Sequence, residues 1–348
     1  MTAAVPAPPL RLACDTGALA ANWRALDGLS GAARAGAAVK ADAYGTGARR
    51  AVPVLRDAGC RDFFVAHWRE AADLLDLVAP ESLAMLHGPL TAEEAHWARA
   101  SGVRPVLNSL DQVDRWLAGG GGIAHVMVDT GMNRLGLPLE ALGDARLARL
   151  EIDLLLSHLA SAEEDSPLNA AQQERWLGAR QRLPHGRASL ANSAGIMLGP
   201  DYHGDVTRPG LSLYGGVPCP ALAPHIRQVV TPEAAILQVR EIAAGETVGY
   251  NATFTARAPM RIGVIALGYA DGYLRCWSDR GVARGGNGAA LPVLGRVSMD
   301  MTAIDLGPAP ALREGDWVGI DYTLPDAAAQ TGLSQYELLT SLGARFVR

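Results

Sequence analysis

The chain has 348 residues, 49% of them hydrophobic, and at roughly 150 residues per domain this predicts about two domains with ample length for a core. Charged residues are 19% and the formal net charge is −5, which excludes a disordered polyelectrolyte and argues against a general nucleic-acid binder. Of the 31 basic residues only Lys40 is a lysine; the rest are arginine. The two residue types differ where chemistry needs an amine that can lose its proton. A chain otherwise given over to arginine keeps one amine, either by chance or because that position requires one.

Cys14, Cys60, Cys219 and Cys276 form no CxxC pair and no Cys/His cluster, so neither a zinc site nor a disulfide scaffold is expected, and a reduced, cytoplasmic thiol set is the simplest reading. The start Met1-Thr2-Ala3-Ala4-Val5-Pro6 lacks a basic region followed by an apolar run, so no secretion signal is expected. No apolar stretch is long enough to predict a membrane span.

In chain order, a strand-like stretch from Leu10 to Cys14 precedes a helical one from Thr16 to Leu29, and the strand suits pairing with either domain. Eight short apolar runs follow, near 37–41, 62–67, 82–87, 103–109, 123–130, 151–158, 187–192 and 204–209. Between them lie amphipathic stretches such as 68–79, 91–100 and 168–183. Eight alternating strand–helix units predict an α/β fold, a (β/α)8 TIM-type barrel over residues 12–226. A doubly wound open sheet reads similarly, and the count of eight favours the barrel. After Pro220 short strands and turn signals replace the helical period until 333–342, which predicts a C-terminal mainly β domain over 227–348, with residues 1–11 able to pack on it.

Barrel active sites gather where strands end. The first run ends at Lys40, the fifth runs into Asp129, Met132, Asn133 and Arg134, and the sixth ends at His158. The seventh ends at Asn192 and Ser193, and the eighth at Arg208, Pro209 and Gly210. A lysine inside an apolar barrel loses pKa to desolvation and becomes a nucleophile for an aldehyde. The loops after strands seven and eight are the usual phosphate site of such barrels. An aldehyde-reactive lysine plus a phosphate site points to pyridoxal phosphate, with Arg208 near its pyridine nitrogen. Singly, His158 reads as a satisfied core histidine and Arg134 as a surface ion pair; their placement at strand ends shifts both toward function.

These residues sit in motifs that resemble a known family. AVKADAYGTGA (38–48) is similar to the lysine motif of fold-type III pyridoxal-phosphate enzymes, most closely that of the alanine racemases. DTGMNRLGL (129–137), SHLASAEE (157–164), ANSAG (191–195), RPGLSLYG (208–215), GYADGYLR (268–275) and GRVSMD (295–300) follow in the same order. The resemblance implies that Lys40 carries the cofactor as a Schiff base and acts as one acid/base. Tyr269 would be the base on the opposite face, supplied by the partner subunit of a homodimer, and Tyr273 on the same segment ranks second. Arg208 would meet the pyridine nitrogen and leave it unprotonated, weakening the electron sink and limiting side reactions. His158 would link that arginine to Tyr269. Tyr44, Asn192, Ser193, Gly210 and Leu211 would hold the phosphate. Arg134 and the backbone of Met299 would bind the substrate carboxylate.

The resemblance thus implies a cytoplasmic racemase of alanine, with two-base proton transfer, no metal, and D-alanine destined for either wall synthesis or alanine breakdown. Departures from the family pattern are also visible. Many members carry a lysine, modified to a carbamate, seven residues before the arginine; here that position is Met127. Thr46, Ser298 and Ala344 stand where histidine, cysteine and tyrosine are common. The competing readings are a decarboxylase of the same architecture, a racemase for serine or a broader range, and a barrel-only cofactor-binding protein. Arg208 speaks against the first, and residues 229–348 against the last.

Overall fold

The computed structural model describes residues 6–347. The first five residues, on which the reading of the N-terminal signal rests, lie outside the described residues. The chain divides into two units: Thr16–Arg227, and the described residues up to Asp15 together with Gln228 onward.

In the Thr16–Arg227 unit, seven strands pair in parallel in chain order: Ala37–Ala38, Phe63–Val65, Leu83–Met85, Arg104–Leu107, Ile123–Met127, Glu151–Leu156 and Arg187–Ser189. Val206–Thr207 supplies the eighth and pairs in parallel with Arg34–Ala35, the leading half of the first strand. Gly36 divides that strand. Its N–H donates to Thr207 O at 2.9 Å, while the next amide, Ala37, donates to Asp62 O at 2.8 Å, so strand one joins both neighbours. A Cβ at Gly36 would lie 2.8 Å from Asp62 O, so only glycine allows this approach. Arg208 N donates to Ala191 O at 2.8 Å and closes the ring between strands seven and eight. The strands are buried over most of their length, hence the apolar residues that dominate Phe63–Val65, Leu83–Met85 and the second half of Glu151–Leu156.

The helices are less regular than the sequence period implies. The stretch 68–79 is α-helical only over Trp68–Ala72. After the fifth strand the chain forms only 3-10 turns, Leu139–Gly143 and Leu147–Arg149, because Gly136, Pro138 and Gly143 interrupt any longer helix. Some of the helices carry side-chain N-caps: Thr91 Oγ1 accepts from Glu94 N at 3.2 Å, and Ser109 Oγ from Gln112 N at 3.2 Å.

The second unit is a seven-stranded sheet that returns on itself, since Trp317–Ile320 pairs with both Val282–Arg284 and Val230–Ile242. Leu10–Cys14 pairs antiparallel with Val230–Ile242, which settles the strand whose partner was open. The aromatic residues Tyr273, Trp277 and Tyr322 stack in its core, with ring centroids 5.0 and 5.8 Å apart. Strand Val282–Arg284 and helix Leu324–Thr331 complete the unit and went unrecognised in the sequence. No helix among the described residues is long and apolar enough to cross a membrane.

Candidate active site

Lys40 directly follows the first strand. The four residues after it, Ala41, Asp42, Ala43 and Tyr44, have φ of 53, 52, 54 and 56°. Four successive non-glycine residues in the left-handed region cost about 1–2 kcal/mol each, so the turn persists only because its surroundings hold it. Three contacts do so: Glu70 Oε1 accepts from Ala41 N at 2.7 Å, Asp42 Oδ1 from Ala48 N at 2.7 Å, and Val39 O from Ala43 N at 2.8 Å. The turn swings Tyr44 back into the barrel, where its ring stacks on Tyr214 at 5.0 Å.

Cations crowd this mouth. Burial, then the charges of Arg134 and Arg208, hold the Lys40 pKa below the ordinary amine value, and Glu70 opposes them. Arg208 is buried and faces no carboxylate. Its Nη1 donates to Ser189 Oγ and its Nη2 to the carbonyl of Ser157. Burial lowers its pKa to about 10, so it stays protonated at neutral pH. Nη2 also lies 3.4 Å from His158 Nδ1. A guanidinium has only donors, so Nδ1 accepts and a neutral His158 keeps its proton on Nε2. Burial, then Arg208, Arg134 and Lys40, lower its pKa to about 3, which fixes that neutral form.

Beside Lys40 lies a cradle of hydroxyls and amides. Ser193 Oγ accepts from Gly210 N at 3.0 Å and from Ser212 N at 3.4 Å. A Cβ at Gly210 would sit 2.2 Å from Tyr44 Oη, so the backbone here approaches Tyr44 as only glycine permits. The Ser212 hydroxyl is buried with no hydrogen-bond partner, and Leu211 beside it is buried too. A buried orphan hydroxyl on a glycine-opened loop suits a phosphate. Asn192 differs: its Oδ1 accepts from Gly195 N at 2.9 Å and shapes the loop.

Arg134 is exposed on the loop after strand five, and none of its guanidinium nitrogens is paired among the described residues. Asp129 Oδ1 does not meet it, accepting instead from Gly131, Met132 and Asn133 N at 2.8, 2.9 and 3.2 Å. Met127 is buried below this loop. Behind it, Thr130 Oγ1 and Ser157 Oγ lie 2.7 Å apart, and Gln172 Nε2 donates to Thr130 Oγ1 and to the His158 carbonyl.

The remaining sequence candidates belong to the second unit. Tyr269 opens a 3-10 turn, Tyr269–Asp271, and its amide donates to Ser298 O at 3.0 Å while Ala270 N donates to Met299 O at 3.0 Å. This brings the GYADG and GRVSMD segments together. A Cβ at Gly268 would lie 2.3 Å from Met299 O, so that glycine is obligatory. Asp271 anchors the turn: Oδ2 accepts from Gly268 N at 3.0 Å and Oδ1 from Arg345 Nε at 2.7 Å. The Arg275 guanidinium carbon lies 5.3 Å from the Tyr269 ring centroid. Tyr273, ranked second, is buried, stacked on Trp277, with its hydroxyl unpartnered and its pKa pushed up by burial. That packing suits a core residue, not a base.

Comparisons with known proteins identify the family. The alanine racemase N-terminal domain model matches residues 14–218, and the alanine racemase C-terminal domain model matches 229–348. The chain belongs to the alanine racemase family. Alanine racemase of Rhodospirillum rubrum is 45% identical, with 97% of this chain and 94% of that protein covered. That of Methylobacterium nodulans is 44% identical, covering 97% and 95%. A solved alanine racemase of Bartonella henselae, which carries covalently bound pyridoxal phosphate, superposes with a TM-score of 0.87 at 37% identity, over 98% of this chain and 99% of that one. The barrel and the β unit are the family's two domains.

Three site features escaped the sequence reading. Glu70 lies in the amphipathic stretch 68–79 and was not singled out there. Ser212 and Tyr214 lie within RPGLSLYG but carried no separate signal; the Tyr214 hydroxyl donates to Ala38 O at 2.9 Å, next to the lysine turn.

Proposed function

We propose that the chain interconverts L-alanine and D-alanine with pyridoxal phosphate, and that Lys40 and Tyr269 serve as acid and base on opposite faces of the substrate. One observation carries this reading: the chain's only lysine, with its pKa held down, stands at a barrel mouth beside a protonated, carboxylate-free Arg208 and a phosphate-suited cradle. When bound, pyridoxal phosphate supplies the electron sink that acidifies the substrate α-carbon. Lys40 would hold it and serve as one acid/base at the substrate α-carbon; a lowered pKa suits an amine for both roles. Tyr44, Ser193, Gly210 and Leu211 hold the phosphate, and Asn192 shapes the loop that carries them. Arg208 would meet the ring nitrogen of the bound cofactor. His158, neutral, passes a hydrogen bond from Arg208 toward Tyr269.

Tyr269 handles the proton on the other face, with the Arg275 guanidinium carbon 5.3 Å from its ring centroid. Arg134 and the Met299 backbone take the substrate carboxylate. With no lysine at 127, no side chain among the described residues pairs with Arg134, so the substrate carboxylate itself completes that arrangement.

The working form is a homodimer in which the second unit of one subunit supplies Tyr269 and Met299 to the barrel of the other. The division of the site residues into two sets, one per unit, supports it. A cytoplasmic location accords with four cysteines joined by no disulfide.

The test is chiral product analysis after incubating the purified chain with L-alanine and pyridoxal phosphate. D-alanine approaching an equal mixture is expected. Its absence, with the cofactor demonstrably bound, would overturn the assignment.

A further inference from the structure

We propose that Glu70 is a positioning residue for the reacting amine: its carboxylate both clamps the left-handed turn after Lys40 and supplies a negative charge that offsets the cations around it. The clamp is a matter of geometry. Oε1 accepts from Ala41 N at 2.7 Å, at the first strained residue after the lysine. Oε2 accepts from Ala66 N at 2.7 Å and His67 N at 3.2 Å, at the end of the second strand. One side chain therefore ties the lysine turn to the neighbouring strand through three backbone donors. Side-chain-to-backbone bonds of this kind are charge-assisted and shorter-ranged than a solvated face would need.

The charge has its own part. Lys40 feels Arg134 and Arg208, and its own field reaches His158 and His87. His87 packs edge-on against His67, 4.7 Å between ring centroids, beside Glu70 on the second strand's end. Asp42, on the lysine's own turn, is engaged with Ala48 N. Among these neighbours Glu70 is the carboxylate that raises the Lys40 pKa, against burial and both guanidiniums. Removing its charge while keeping its shape should lower that pKa further.

This inference rests on Lys40 being the reacting amine, and the test separates the two ideas. Because Lys40 is the only lysine, isotopic nitrogen labelling of lysine gives one side-chain signal by NMR in the full-length chain. In cofactor-free protein, Glu70→Gln should move its titration to lower pH by about one unit, the scale of one nearby charge. Glu70→Asp keeps the charge but falls short of Ala41 N, so the titration should stay in place. With cofactor, Glu70→Gln should lower kcat about tenfold and shift the acidic limb of the D-alanine profile to lower pH. Glu70→Asp should lower kcat without moving that limb. An unmoved titration in folded Glu70→Gln protein would overturn the charge role. Full activity in both variants would overturn the clamp. If the NMR shift appears yet Lys40→Ala keeps its activity, Glu70 stands and the catalytic assignment falls.

Discussion

The barrel places arginine at both of its ends, in opposite settings. At the foot, where strands begin, Arg187 Nη1 donates to Asp62 Oδ1 at 2.9 Å and Nη2 to Asp153 Oδ2 at 2.9 Å, and these carboxylates raise its pKa. At the mouth, where strands end, Arg208 meets a serine hydroxyl, backbone carbonyls and an imidazole, and burial drives its pKa down to about 10. A paired charge at the foot is stabilised by the fold itself. A buried charge without a counter-ion raises the free energy of the folded chain, and such a cost persists where a ligand is to be met. The same residue type therefore serves structure at one end and chemistry at the other, as the asymmetry of such barrels requires.

Breaking the mouth should abolish activity and spare the fold. Lys40→Ala removes the only amine, so kcat should fall by at least about 10³-fold and borohydride should no longer fix pyridoxal phosphate to the chain. Racemisation that survives would sink the assignment. Tyr269→Phe should slow exchange from L-alanine by about 10²-fold or more, with exchange from D-alanine partly retained. Deuterium uptake from each enantiomer measures this, and equal losses would contradict two bases of this polarity. Tyr273→Phe, one core hydroxyl removed beside Trp277, should leave both directions intact.

The foot should respond through stability and pH. His125 is buried there, and its Nδ1 accepts from Leu154 N at 3.2 Å. Burial lowers its pKa from 6.5 to about 4. With the folded value depressed, the unfolded chain takes up the proton first as pH falls. The contribution is therefore complete above pH 6.5 and is lost between there and pH 4, up to about 3 kcal/mol. His125→Asn keeps an acceptor near the Nδ1 position and cannot titrate, so denaturant unfolding across that window should show a shallower acid slope. An unchanged slope would remove His125 from the acid response.

How much of this was legible follows from what each residue must satisfy. The eight strands announced themselves as short, mostly apolar runs, and the first, fifth, sixth, seventh and eighth ran into the polar residues that now stand at the mouth. The pairing of Leu10–Cys14 was not legible, since a five-residue apolar strand suits either unit and only the register with Val230–Ile242 decides. The helix expected over 68–79 stopped at Ala72 although its period continued. Tyr269 and Tyr273 share one segment and one chemistry; burial separates them, and burial is a tertiary fact. Glu70 went unseen because its partner beyond its own segment is a backbone amide, Ala41 N, and backbone leaves no trace in residue identity.

The smallest expected effect sharpens the contrast most. Arg187→Ala leaves Asp62 and Asp153 facing each other without their shared cation. The group is partly exposed, so the cost lies between that of a surface pair and a buried one, about 1–2 kcal/mol. For a unit of this size Tm should drop by about 2–8 °C. Because the foot touches none of the mouth residues, kcat and the pH profile for both alanine enantiomers should match the parent chain below the transition. Arg208→Ala should do the reverse, losing activity with little loss of Tm, since it removes a charge that burial already disfavours. If instead Arg187→Ala lowered kcat while Tm held, charge at the two ends of the barrel would be coupled, and the division between a structural foot and a chemical mouth would have to be abandoned.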